Sequence, residues 1–149
     1  MDSIPPSSSV NADKNLTNNE NISLNITATD NVGIKNITIY YSYSLNKSWS
    51  EWYIAGYEYN ISFNLSSPGF YAFYSIATDF LNNTENFPSE PDCIVKFYNP
   101  DLNHDGRVNV LDLVKIIVKW GKDDPYSDLN GDGVVNVKDL ILLLLNWTG

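Results

Sequence analysis

Histidine and cysteine occur once each in these 149 residues, as His104 and Cys93, and lysine plus arginine number only nine against 18 acidic residues. One cysteine excludes an intrachain disulfide, so Cys93 reads as a small buried hydrophobe near a strand. No histidine precedes residue 104, and that stretch holds no nucleophile motif and no carboxylate pair whose spacing places two groups together, so the chain reads as noncatalytic. Glu85, Glu90 and Asp92 read as solvated loop charges. The basic residues are spread singly in a chain of net charge −9. Nucleic acid, whose phosphates demand clustered Lys and Arg, is excluded as a partner. A run such as Ile141 to Leu145 falls far short of the roughly 20 apolar residues of a membrane span, so no membrane insertion is expected. The start, Met1-Asp2-Ser3-Ile4-Pro5, lacks a charged region and an apolar stretch and does not read as a signal peptide; the chain reads as the excised tail of a longer secreted protein.

What the last third does contain is a duplication. Asp101-Leu-Asn103-His104-Asp105-Gly106-Arg107-Val108-Asn109-Val110-Leu111-Asp112 superposes residue for residue on Asp128-Leu-Asn130-Gly131-Asp132-Gly133-Val134-Val135-Asn136-Val137-Lys138-Asp139. With each first Asp as position 1, positions 1, 3, 5, 9 and 12 carry a side-chain oxygen and position 6 is glycine, the pattern of a calcium loop. Calcium is a hard cation that takes six to eight oxygens, and a twelve-residue loop is long enough to wrap one ion. The expected ligands are Asp101, Asn103, Asp105, the Arg107 carbonyl, Asn109 and Asp112 in one loop, and Asp128, Asn130, Asp132, the Val134 carbonyl, Asn136 and Asp139 in the other. Two calcium ions are therefore the expected cofactors. Val108 and Val135, both at position 8, are placed for a short pairing between the loops, and His104 at position 4 is expected to point away from the ion. Three carboxylates in each loop repel one another without metal. At an ion concentration 100 times the dissociation constant, each site adds about 2.7 kcal/mol to folding, so chelation is expected to unfold this segment.

The residues preceding each loop, Tyr98-Asn99-Pro100 and Pro125-Tyr126-Ser127, do not suit an entering helix, because proline cannot sit in a helix interior and disfavours helix in its neighbour. A duplicated D-x-N-x-D-G-x-x-N-x-x-D loop, with a helix only after it, aspartate at position 12 and an apolar residue next (Leu113, Leu140), resembles a dockerin. Dockerins are the EF-hand-like, calcium-dependent modules that dock into cohesin modules in cellulosomes, the assemblies of polysaccharide catabolism, and in other cell-surface complexes. The resemblance covers about residues 100–149. It implies two roughly antiparallel helices related by a pseudo-twofold axis, with the partner on the faces of the first and last helices. In the family, loop positions 10, 11, 17 and 18 recognise the partner; here these are Val110, Leu111, Ile117 and Val118, then Val137, Lys138, Leu144 and Leu145. The helical wheel places Leu113, Ile116, Ile117 and Trp120 on one side of the first helix, and Leu140, Leu143, Leu144 and Trp147 on the core side of the last. Val114 and Ile141 help extend the apolar arcs beyond the roughly 100° that one buried face needs. The excess points to an apolar partner.

From Asn21 to Tyr98 the apolar pattern has period two, the mark of half-buried strands. Ile22, Leu24 and Ile26 oppose Asn21, Asn25 and Thr27; Ile37, Ile39 and Tyr41 oppose Asn36 and Thr38; Tyr59, Ile61 and Phe63 oppose Asn60 and Asn64. Further strands are expected around Ser50–Ala55, Gly69–Ala77 and Asp92–Tyr98. The stretches from Ile26 to Ile34 and from Phe73 to Asp79 resemble the immunoglobulin-like repeats of bacterial and archaeal surface proteins. The expected fold is thus two domains: an antiparallel immunoglobulin-like β-sandwich over residues 1–98, with 1–18 extended or poorly ordered, then a small all-α dockerin over residues 99–149 packed against it.

Nine N-x-S/T sequons, at Asn15, Asn21, Asn25, Asn36, Asn46, Asn60, Asn64, Asn82 and Asn146, point to an extracellular protein. The expected function is calcium-dependent attachment of an extracellular protein to a cohesin-bearing scaffold. The competing reading is a carbohydrate-binding sandwich, built on Trp49, Trp52, Tyr53, Tyr57 and Tyr59, with a calcium-stabilised helical cap.

Overall fold

The computed structural model describes residues 1–149. Eight strands precede two helices: β1 (Ser7–Ala12), β2 (Leu16–Thr17), β3 (Asn21–Thr29), β4 (Ile34–Ser44), β5 (Tyr53–Gly56), β6 (Asn60–Asn64), β7 (Gly69–Asp79), β8 (Cys93–Phe97), α1 (Val110–Val118) and α2 (Val137–Leu145). They form a three-stranded sheet in the order β1-β3-β6 and a five-stranded sheet in the order β2-β8-β7-β4-β5. Strand neighbours are antiparallel except β2 and β8, which run parallel.

Period-two alternation fixes the facing of β3, where Ile22, Leu24 and Ile26 are buried while Asn21, Ser23, Asn25 and Thr27 are exposed. These side chains meet Ile37, Ile39, Tyr71, Phe73 and Val95 of the larger sheet in one core. β7 lacks the alternation. Its sequence, Phe70-Tyr-Ala-Phe-Tyr-Ser-Ile-Ala77, is apolar or small on both parities and buried on both faces. Tyr71 and Phe73 enter the intersheet core, whereas Tyr74 turns the other way, stacking on Tyr40 at 5.0 Å and meeting Trp52 edge-on at 4.7 Å.

The two-domain expectation is corrected. The 149 residues form a single, mostly β domain of two sheets carrying two helices of nine residues each, not a sandwich followed by an all-α unit. The physical reason lies in contacts that cross residues 98–100, where the change in composition suggested a boundary. Lys96, 4 % exposed on β8, donates from Nζ to the Pro125 carbonyl at 3.2 Å and lies over the Phe70 ring. Phe70 also abuts Gly131, and Asn18 donates to Asn146 Oδ1 at 2.7 Å. Tyr98 donates its backbone N–H to Thr17 and buries its ring in a second apolar cluster with Val108, Ile116, Leu129, Val135 and Leu143.

Two smaller expectations change as well. Residues 1–18 contribute β1, paired along its length with β3, and β2. Glu85 and Asp92 are not free loop charges: Glu85 accepts from Ser8 N–H and Ala77 N–H, and Asp92 accepts from Val10 N–H and Ser75 N–H. These carboxylates fasten β1 to β7 where no ladder joins them.

Candidate functional site

The two loops share their internal wiring except at position 4, where Gly131 N–H donates to Asp128 Oδ1 at 2.9 Å and His104 N–H to the Asp101 backbone carbonyl at 3.4 Å. In the first, Asp101 accepts from the N–H groups of Asp105 and Gly106 at 3.2 and 2.9 Å. Its counterpart Asp128 accepts from Asp132 and Gly133 at 3.2 and 2.8 Å. Asn103 Oδ1 accepts from Asp105 N–H, Asp105 Oδ1 from Arg107 N–H, and the same bonds recur at Asn130 and Asp132. Asp112 reaches back across the loop, one oxygen accepting from Asn103 N–H and the other from Asn109 N–H. Asp139 does this with Asn130 and Asn136.

Each loop therefore folds its oxygens inward through its own amides. Gly106 and Gly133 take φ of +86° and +94°, where a side chain is strained, as the sharp turn at position 6 requires. Position 4 is also left-handed in both loops, at His104 (φ +60°) and Gly131 (φ +74°). Pattern reading did not anticipate this. His104 is exposed, as expected.

Asn109 and Asn136 cap the two helices. Their side chains accept from Leu111 N–H and Lys138 N–H, and Asp112 and Asp139 close the reciprocal capping box. The N-x-x-D spacing carries that signal, although the sequence reading assigned these residues to the ion alone. The last carboxylate of each loop thus ties it to the first turn of its helix.

The donor set suits a hard divalent cation, being oxygen throughout. Asp112 and Asp139 are 0 % exposed, yet no lysine or arginine pairs with either; the molecule's one ion pair joins Lys119 to Asp124. A buried carboxylate without a contact ion pair is costly, Lys96 acting on Asp139 only from a distance, and two backbone bonds leave each with lone pairs to spare. The carbonyls of Arg107 and Val134 accept no bond from within the protein. Burial pushes the Asp128 carboxyl above its usual range, with repulsion from Asp139 and Asp132 adding to the rise, whereas the Asn130 amide holds Asp132 low. Burial pulls Lys96 down, opposed by the charges of Asp128 and Asp139.

Val108 and Val135 do not pair with each other. Val135 bonds to Gly121 and Lys122 just after α1, and Val108 to Thr148 and Gly149 just after α2. Each loop is clasped by the segment leaving the other repeat's helix, a connection with no signal in the motif.

Ile116 and Leu143, at identical repeat positions, are the residues of α1 and α2 whose apolar side chains are fully buried. Leu113 and Leu142 pack partly against them. The core stripe is narrower than the helical wheel suggested, because Ile117, Trp120, Leu144 and Trp147 are exposed. Val110, Leu111, Val114, Ile117 and Val118 on α1 and Val137, Lys138, Ile141, Leu144 and Leu145 on α2 all face outward, reaching 62 % exposure at Val118 and 76 % at Leu145. The two helices thus carry a large exposed apolar surface.

No protein-family model, no curated protein and no solved structure matches this chain.

Proposed function

We propose that the chain is a noncatalytic attachment module that docks to a cohesin-bearing scaffold or cell-surface protein in a calcium-dependent manner. The observation that carries this reading is the repeated loop, closed twice by the same aspartate bonds and coupled through its last aspartate to a helix with an exposed apolar face. In this reading Asp101, Asn103, Asp105, Asp112 and the Arg107 carbonyl hold one calcium ion, and Asp128, Asn130, Asp132, Asp139 and the Val134 carbonyl hold a second. Asn109 and Asn136 reach the ions at most through water, since their side-chain oxygens cap the helices. Bound calcium supplies the positive charge that the inward-facing carboxylates lack. The chain's part is to convert loop closure into helix orientation, with Asp112 and Asp139 as the shared joints.

The partner meets α1 and α2 through apolar contacts, with Lys138 the one cationic side chain among the ten proposed docking residues. An extracellular setting is supported by eight exposed sequon asparagines, Asn146 alone being half-buried. No helix is long and apolar enough to cross a membrane.

The test is surface plasmon resonance with a cohesin of the same organism. Calcium-dependent binding that chelator reverses supports the proposal, and equal binding with and without calcium contradicts it.

A second reading, carbohydrate binding, is favoured by one feature. A cleft of about 450 Å³ is lined by Trp49, Trp52, Tyr74 and Phe87, and aromatic faces stack on sugar rings. Retention on insoluble polysaccharide, lost in Trp49→Ala, supports that activity; passage unretarded removes it.

A further inference from the structure

Asp2, Asp30 and Asp79 are distant in sequence and play no part in the docking reading, yet the fold gathers them. Asp79 ends β7, Asp30 follows β3, and Asp2 lies in the segment leading to β1. One carboxylate oxygen from each lies within 4.8 Å of the others. Asp79 is fully buried and accepts from Leu81 N–H at 2.8 Å, Asn83 N–H at 2.9 Å and the Asn83 amide at 2.8 Å. Asp2 Oδ1 accepts from Ile4 N–H and Asn31 Nδ2, and Asp30 Oδ2 from Val32 N–H at 2.9 Å.

The other oxygens, Asp2 Oδ2 and Asp30 Oδ1, are shut off from solvent and have no hydrogen-bond partner; no other side-chain atoms in the molecule share that condition. Nor does any cation serve them. The nearby Lys35 Nζ donates to Asn82 Oδ1, and none of the three aspartates forms an ion pair. An orphaned, buried carboxylate oxygen is unfavourable, and here two stand beside a third carboxylate.

We propose that Asp2, Asp30 and Asp79 form a third cation site, for a calcium-class divalent ion, separate from the two loops. The donors are all oxygen, which suits a hard cation. The spacing fits as well: two ligands on opposite sides of one calcium ion, each about 2.4 Å from it, stand about 4.8 Å apart. The Asp2 carbonyl, which accepts from Asn83 Nδ2 at 3.3 Å, brings a further oxygen into the same neighbourhood. Occupancy ties the segment before β1 to the β3–β4 turn and to the end of β7. Phe70, near the start of β7, touches Gly131, so Asp79 lies about 30 Å away along the strand from the second loop.

The test is calcium titration of the full, chelator-stripped, isotope-labelled chain, followed by amide resonances. The site predicts saturable shifts at Val32, Leu81 and Asn83 in wild type and in an Asp112→Asn/Asp139→Asn variant with disabled loops. Asp30→Asn is expected to abolish these shifts while Gly106 and Gly133 still respond. Shifts at Val32, Leu81 and Asn83 with silent loops leave this site standing and remove the loop reading. Loop shifts with Val32, Leu81 and Asn83 unmoved, or shifts there that survive Asp30→Asn, overturn the site.

Discussion

Gly131 shows how much a single position can carry. It stands in the left-handed region and a Cβ there would meet Phe70 Cζ at 2.7 Å, whereas Gly121, with a similar φ, has open space around it. Gly121→Ala should therefore cost only backbone strain, about 1 kcal/mol. Gly131→Ala adds overpacking against an aromatic ring, for a total of about 2–4 kcal/mol. Denaturant midpoints measure both, and equal losses would remove the role given to Phe70. Glycine at position 6 was legible in the motif, but the need for glycine at position 4 of the second loop was not, because Phe70 lies 61 residues away in sequence.

Cys93 offers a pH test at the same scale. Burial pushes its thiol from an ordinary 9.0 to about 11. The folded state keeps the proton where the unfolded chain releases it, so stability is full below about pH 9 and declines as pH rises toward 11. A thiol reagent at pH 8 should label unfolded protein far faster than folded protein; equal rates contradict the burial.

At the scale of elements, strands were the most legible part. Alternation located β3 and β6, whose second face looks into solvent, and the start of β4, whose second face is partly covered, Tyr40 stacking on Tyr74 and Ser42 being buried. β1 went unread since Ser7-Ser-Ser-Val-Asn-Ala12 offers one large apolar residue, and its pairing depends on β3 and on the carboxylates of Glu85 and Asp92. In the helices, the apolar excess was visible but its division was not. Which residues turn inward depends on where the loops and the Thr148 clasp set each axis.

That division predicts opposite outcomes for neighbours. Ile116→Ala or Leu143→Ala removes a fully buried side chain and should cost about 2–5 kcal/mol. An Ile117→Asp/Leu144→Asp variant alters exposed positions and should change stability by about 0.5 kcal/mol per site, while abolishing cohesin binding. Calorimetry and surface plasmon resonance on the same samples separate the effects. Destabilisation of the Asp variant to the level of Ile116→Ala would show that the face is core.

For the whole molecule, the two repeated loops were legible because their residues form a contiguous, duplicated segment, whereas the single-domain fold was not. Its joints are the buried Lys96, Phe70 against Gly131, and the Tyr98 bond to Thr17, each linking residues that composition assigns to different domains. With calcium present, unfolding should be one transition in which backbone dichroism and tryptophan fluorescence coincide. Trp49 and Trp52 report on the strands, Trp120 and Trp147 on the helices. Two separated midpoints contradict a single cooperative unit.

The central claim is that Asp112 and Asp139 hold calcium and set the docking helices. Its most direct test is a calorimetric calcium titration of the stripped full chain beside the Asp112→Asn/Asp139→Asn variant. The account predicts that the variant takes up two fewer ions than wild type. Equal uptake by the two proteins would contradict it.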